Sequence, residues 1–297
     1  MTEKLFFFST FARMENRVSG TLNVGGRLMD LSIARVMGIV NVTPDSFFAQ
    51  SRTTTADSIR RRAAEMLAQG ADILDVGAYS TRPGGEPVSE QQEMDRLGSA
   101  LQAVRSECGG VCLSVDTFRP EVARMVVGEF GVCIINDVTG GNRNGVFGAE
   151  QLADDTDDDV PAMFRAVAEM GVAYVLTALQ PTAEAMVLPV SKKIAQLHAL
   201  GQKDILLDPG FGFGKTVEQN LRLLGELEKC HVFGLPLLVG LSRKSMLWKT
   251  LQTTPEEALN ATTVANTVAL MKGASVLRVH DVRECVEAVK IVDSMQA

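Results

Sequence analysis

No dense run of Lys or Arg occurs in this 297-residue chain, whose formal net charge is −7. That excludes the electrostatic footprint of a nucleic-acid binder. Long apolar runs are missing too. None approaches the roughly 18 residues a membrane span requires. "KLFFFSTF" near the N-terminus is interrupted by Ser9 and Thr10, and "ARMEN" follows in place of a small-residue cleavage site, so no signal peptide is expected. Without secretion, the Asn-x-Thr sequons at Asn41 and Asn260 carry no glycan. The five cysteines are odd in number and match no metal spacing, which reads as reduced packing thiols in a cytoplasmic protein. Histidine is scarce, at three residues, and no Ser-His-Asp or Cys-His arrangement is legible.

What is present is regular. Eight short apolar runs, at 35–42, 71–77, 111–116, 132–137, 173–178, 204–208, 236–241 and 275–280, alternate with segments of helical spacing. Each run is nearly continuous in apolar residues, as parallel strands covered on both faces require. Met94, Leu97, Leu101 and Val104 form one helical stripe; Val282, Val286 and Val289 form another. Gly70, Gly131, Gly171 and Gly273 stand where helices should stop. Eight β-then-α units predict an α/β fold of the (β/α)8, or TIM-barrel, type. A doubly wound sheet is the rival, but it usually has fewer strands and a Gly-rich first turn. Residues 1–34 precede the pattern, and "TLNVGGRLMDLS" reads as a hairpin turning at Gly25-Gly26. The expected division is an N-terminal cap over 1–34, covering the N-terminal mouth, and one barrel over 35–297.

The strand "RVMGIVNVTPDSFF" (35–48) changes character after Val40, where polar and rigid residues take over. The same change recurs at Asp75, Asp116, Asn136-Asp137, Asp208, Ser242-Arg243-Lys244, and Arg278 with His280. Any one of these could simply begin a loop or cap a helix. As a set they fall at strand C-termini, where barrel enzymes build their sites. His198 and His231 lie in or at the end of helical segments, so His280 alone among the histidines is at a strand end.

"MGIVNVTPDSF", "DVGAYSTRPG", "SVDT", "IND", "DPGFGFGK", "SRKS" and "RVHD" occur in this order. Together they resemble the dihydropteroate synthase family of pterin-binding barrels, over residues 19–293. The resemblance implies condensation of 6-hydroxymethyl-7,8-dihydropterin pyrophosphate with p-aminobenzoate, in an SN1-like displacement assisted by Mg²⁺. It implies that Asp116, Asn136, Asp208, Lys244 and Phe213 hold the pterin. Carboxylates suit its N–H donors, while an amide can both donate and accept. It assigns pyrophosphate to Asn41, Thr81, Arg278 and His280, with Asn41 the protein's ligand to Mg²⁺. It gives p-aminobenzoate to Ser245, Arg82, Pro83 and Phe47, with Phe213 nearby, and adds Asp45 to Lys244, Arg278 and His280 as catalytic groups. Small-molecule substrates and a homodimer formed through late outer helices are further expectations of the family.

Two patterns are decoys. "GFGKT" lacks the P-loop's first glycine, since position 209 is Pro. "DDTDDD" (154–159) lacks the glycine and glutamate of a calcium loop, and reads as a solvated acidic loop. The chain also departs from the family at Phe48-Ala49-Gln50-Ser51, at Tyr79, and at Thr177, where relatives carry a Met against the pterin. These departures keep open a pterin-binding paralogue of weak or no activity. A Schiff-base aldolase using Lys244 is a third reading, but the neighbouring charges suit it poorly.

Overall fold

The computed structural model describes residues 18, 20–42, 55–79, 88–142 and 159–296. Strands β1 (Thr21–Val24) and β2 (Arg27–Asp30) pair antiparallel. Gly25 and Gly26 between them have φ of 63° and 81°, the left-handed pair a two-residue hairpin turn demands. Eight parallel strands follow: β3 (Arg35–Asn41), β4 (Ile73–Gly77), β5 (Cys112–Asp116), β6 (Ile134–Asp137), β7 (Ala173–Thr177), β8 (Ile205–Asp208), β9 (Leu237–Val239) and β10 (Ala274–Val279). Each pairs with the next, and β10 returns to β3 to close the barrel. The observed strands depart from the apolar runs by one or two residues at their ends. The fold is the (β/α)8 barrel that the alternation implied.

Helices α1 (Ala56–Ala68), α2 (Glu90–Glu107), α3 (Pro120–Phe130), α4 (Ala162–Met170), α5 (Ala183–Ala199) and α6 (Val217–Gly225) alternate with β3 to β8. A 3-10 turn at Leu227–Phe233 leads into β9; α7 (Ser245–Leu251) and α8 (Leu259–Met271) precede β10, and α9 (Val282–Gln296) ends the chain. Thr55, Ser89 and Thr216 each close a capping box at a helix start. Gly131 and Gly171 end α3 and α4 in the left-handed region. Position 119, not Asp116, precedes α3 and lends no side-chain cap. Asp116 is therefore left to the barrel mouth.

Alternation along the strands divides the core in two. Outward residues such as Leu74, Val76, Leu113 and Leu207 pack under the helices. Inward residues at the strand starts, among them Met37, Ile73, Ile134, Val175, Leu206 and Val276, form a second cluster with Leu22, Val24 and Leu31 of the hairpin segment. Burying each such Leu stabilises by about 2 kcal/mol. The hairpin thus seals the N-terminal mouth with hydrocarbon. Polar groups reaching the interior collect at the opposite end.

Asp45, Phe47, Thr81, Arg82 and Pro83 lie outside the described residues, as do residues 48–51 and 154–158 of the segments singled out above.

Candidate active site

The period of two that separates inside from outside also builds the site. On β4, Asp75 follows the inward Ile73; on β5, Ser114 and Asp116 share a face; on β6, Asn136 follows the inward Ile134. Register sets Asp75 beside Ser114 and joins Gly77, Asp116 and Asn136 side by side. Arg278, two residues beyond the inward Val276, completes the ring.

Arg278 clasps two acids. Its Nε donates to Asp75 Oδ2 at 2.6 Å and its Nη2 to Asp116 Oδ2 at 3.1 Å. Asp75 has no exposed surface, and Ser114 Oγ at 2.5 Å and Asn136 Nδ2 at 3.2 Å also donate to it. A buried charge is tolerated when paired and hydrogen-bonded in this way. A β-carbon at Gly77 would lie 3.5 Å from Asp116 Cβ and 3.6 Å from Asn41 Oδ1. Asn41 and Asp116 therefore flank the same small gap, beside β4.

The opposite wall comes from β8 and β9. Asp208, buried, accepts from Gly210 N at 2.8 Å. Gly210 has φ of 70°, and a β-carbon there would meet Ala178 O at 2.1 Å, so the loop needs glycine for both conformation and clearance. Lys215 ties this loop down, donating to Gly210 O at 2.9 Å and Ala178 O at 3.3 Å. The lysine of the rejected "GFGKT" decoy thus has a structural task. Lys244 Nζ donates to Phe211 O and lies 4.8 Å from the centre of the Phe213 ring, a cation–π distance.

The "SRKS" and "RVHD" segments interlock. Ser242 Oγ lies 3.0 Å from His280 Nδ1 and accepts from His280 N at 3.1 Å. Arg243, with φ of 53°, makes a two-pronged pair with Asp281 at 2.9 Å through Nε and Nη2. Arg62 Nη2 donates to His280 O at 2.6 Å. Ser245 is exposed at the first position of α7. Asp137, in contrast, faces away from ligand chemistry: Thr139, Gly141 and Tyr174 occupy both its oxygens.

Crowding ionisable groups into this low-dielectric mouth shifts their titration. Burial pushes the Asp116 carboxyl up to about 7, with Asp75 adding to the rise and Arg278 opposing it. Burial also raises Asp208, partly offset by Lys244. Lys244 is pulled down to about 8 by burial, against the attraction of Asp208. Such opposed shifts mark functional sites.

Among the described residues no group of three His, Cys, Asp or Glu could hold a metal. A single amide oxygen such as Asn41 Oδ1 suits instead an ion already coordinated by phosphate oxygens. Asn41, Asp116, Asn136, Asp208, Phe213, Lys244, Arg278 and His280 all belong to this mouth, with Ser245 at its edge. Asp75 and Ser242 stand out in the sequence only as polar strand ends, and Ser114, Lys215 and Asp281 only as members of motifs. Alternation marks Asp75 and Ser114 as inward, one layer below the rim, but it does not name their partners.

The Pterin binding enzyme family matches residues 37–280. The chain is 37% identical to the dihydropteroate synthase of Escherichia coli over 284 residues, covering 91% of this chain and 94% of that protein. Its fold superimposes on the Yersinia pestis dihydropteroate synthase in a sulfonamide drug complex with a TM-score of 0.82 at 35% identity, over 93% and 99% of the two chains. The Xanthomonas albilineans dihydropteroate synthase with 4-aminobenzoic acid gives a TM-score of 0.80 at 35% identity, over 94% and 99%. With its motifs arrayed around one barrel mouth, this chain belongs to the dihydropteroate synthase family of pterin-binding enzymes.

Proposed function

We propose that the mouth formed by β3 to β10 joins 6-hydroxymethyl-7,8-dihydropterin pyrophosphate to p-aminobenzoate, releasing pyrophosphate. One observation carries the reading: acceptor side chains Asp116, Asn136 and Asp208 line the same mouth as the cations Lys244 and Arg278. A pterin presents a row of N–H donors along one edge and a carbonyl on the other, matching acids on one side and an ammonium on the other. Asp116, Asn136 and Asp208 read the donor edge. Lys244 reaches the carbonyl side, and Phe213 packs on the ring.

Arg278 and His280, two residues apart at the end of β10, grip the pyrophosphate with Asn41 and Thr81. Negative charge grows on that group as its bond to carbon lengthens, and fixed cations stabilise it most at that moment. Mg²⁺, when bound by the pyrophosphate and Asn41, neutralises part of the same charge. Ser245, Arg82, Pro83 and Phe47 hold p-aminobenzoate, whose amine attacks the cationic carbon, with Asp45 at the reacting centre. No covalent nucleophile is required. The 4-aminobenzoic acid bound by the X. albilineans enzyme supports this second site. The free thiols of the described chain suit a reducing cytoplasm, and family kinship supports a homodimer in which residues 1–34 cap a barrel of residues 35–297.

Incubating the purified chain with both substrates and Mg²⁺ and detecting dihydropteroate tests the reading. Pterin binding without product would instead favour a binding paralogue, the alternative that the loop departures keep in play.

A further inference from the structure

We propose that Asp75 is a positioning residue that forces the Asn136 amide to present its oxygen, not its nitrogen, to the substrate. This rests on the reading of the mouth as a pterin site. Asn136 can in principle donate or accept, and its orientation decides which ring atoms it tolerates. The structure removes the choice. Asp75 Oδ2 receives Arg278 Nε at 2.6 Å, and a guanidinium only donates, so this oxygen is an acceptor. The Asn136 atom 3.2 Å from the same oxygen must then be the NH2 group. Flipping the amide would set two acceptors against each other.

The consequence lies on the other side of the amide. Asn136 is 2% exposed, and its Oδ1 is buried without a hydrogen-bond partner. An unsatisfied buried acceptor is costly, and one beside the acids of a ligand site marks the place where the ligand supplies a donor. Asn136 Oδ1 thus joins the Asp116 and Asp208 carboxylates in an all-acceptor edge. Asp75 sets this edge and, through Nε, also fixes the Arg278 guanidinium that faces the pyrophosphate. One buried carboxylate aligns the groups at both ends of the substrate.

Ser114 holds Asp75 in turn, donating to its other oxygen at 2.5 Å. Register places Ser114 directly beside Asp75 on the neighbouring strand. Neither residue needs to touch the ligand for this role.

The test is a double-mutant cycle read by calorimetry with 6-hydroxymethyl-7,8-dihydropterin, using Asp75→Ala, Asn136→Ala and the double variant. An Asn at 75 would not serve, since its oxygen would stay on Arg278 Nε and Asn136 Nδ2 while its NH2 turned to Ser114. In Asp75→Ala the Asn136 NH2 loses the carboxylate that holds it, and the amide is released to turn its nitrogen to the ligand. Each single change should weaken binding about tenfold, the value of one hydrogen bond between charged or buried partners. In the Asp75→Ala background, Asn136→Ala should add less than about twofold. A residue that merely supports the fold would give losses that multiply, and that result overturns the inference. Should Asp75→Ala not fold, Ser114→Ala replaces it in the cycle, with the same non-multiplying pattern at smaller amplitude expected. The wild-type chain separates the two claims. If it fails to bind the dihydropterin, the site reading and the inference both fall; if it binds and the losses multiply, only the role of Asp75 falls.

Discussion

A β-carbon on Gly212 would stand 3.0 Å from Lys244 Cδ and 3.4 Å from its Cε and Nζ. The loop after β8 is therefore shaped to the lysine that follows β9. Gly212 also has φ of 80°, where a side chain costs about 1–2 kcal/mol. Gly212→Ala should lower thermal stability by that amount and push Lys244 off its position. Dihydropterin binding, measured by calorimetry, should weaken about tenfold, since a charge-assisted contact of about 1.5 kcal/mol is lost. Unchanged affinity would mean that Lys244 does not read the pterin from where it stands.

The two titrating groups at the mouth predict a window of pH. Asp116 ionises only above about 7, and donors on the pterin require the ionised form. Lys244 loses its proton above about 8 and with it the attraction for the pterin carbonyl. Affinity should thus rise toward pH 7, peak narrowly, and fall beyond pH 8. Below pH 7 binding should release a proton, visible as a dependence of the calorimetric heat on the buffer's ionisation enthalpy. Asp116→Asn should flatten the acid limb. The stability signs differ. Asp116, with a raised folded value, disfavours the folded chain progressively as pH climbs from about 4 to about 7. Lys244, with a lowered one, relieves its penalty as pH climbs above about 8.

Arg278 and Asp208 should separate in binding. Asp208→Ala should abolish dihydropterin binding at any pH, because a buried acceptor is lost from the donor edge. Arg278→Ala removes the cation that holds Asp116 down, so Asp116 titrates higher still. At pH 6.5 this variant should therefore lose free dihydropterin. Once the pH is raised far enough to ionise Asp116 again, the variant should recover free dihydropterin but not its preference for the pyrophosphate form. It also strands Asp75 and Asp116 without their partner, costing about 3–5 kcal/mol in a denaturant titration. Equal loss of free dihydropterin by both variants at every pH would sink the division of labour.

Much of this was legible because a parallel barrel writes its architecture twice. The eight apolar runs came from burial on both faces, and the polar residue ending each run came from reaching the mouth. Asn41, Asp116, Asn136, Asp208, Lys244, Arg278 and His280 could be found from that pattern and the motifs. Their partners could not. Nothing in "DVG" says that Asp75 binds a guanidinium from β10, since contacts 203 residues apart depend on closure of the sheet. The sense of the Asn136 amide was likewise invisible, being dictated by Asp75. Lys215 looked like part of a decoy because its partners are backbone carbonyls, which sequence does not distinguish. Thr177 reads as a substitution in the pterin wall; register puts it beside Asp208, and its hydroxyl is buried without a partner.

Neighbouring residues of "RVHD" should divide cleanly between fold and chemistry. Asp281 holds Arg243, which sits in the left-handed region with its side chain 7% exposed and also donates to the carbonyls of Pro255 and Glu256. Removing the acid leaves a nearly buried guanidinium without its counter-ion, so Asp281→Ala should cost about 3 kcal/mol in unfolding free energy. His280 instead rests on Ser242 through one ring nitrogen and lies at the mouth. His280→Ala should leave the unfolding free energy within about 0.5 kcal/mol of wild type, as for a site away from the packed core. Its kcat/KM for the pterin pyrophosphate should fall about a hundredfold, the order expected for a lost contact to developing charge. Denaturant titration and steady-state kinetics on the two variants check the division. A His280→Ala variant that is destabilised yet fully active would reverse it, placing the histidine in the scaffold and leaving Arg278 alone to face the departing pyrophosphate from β10.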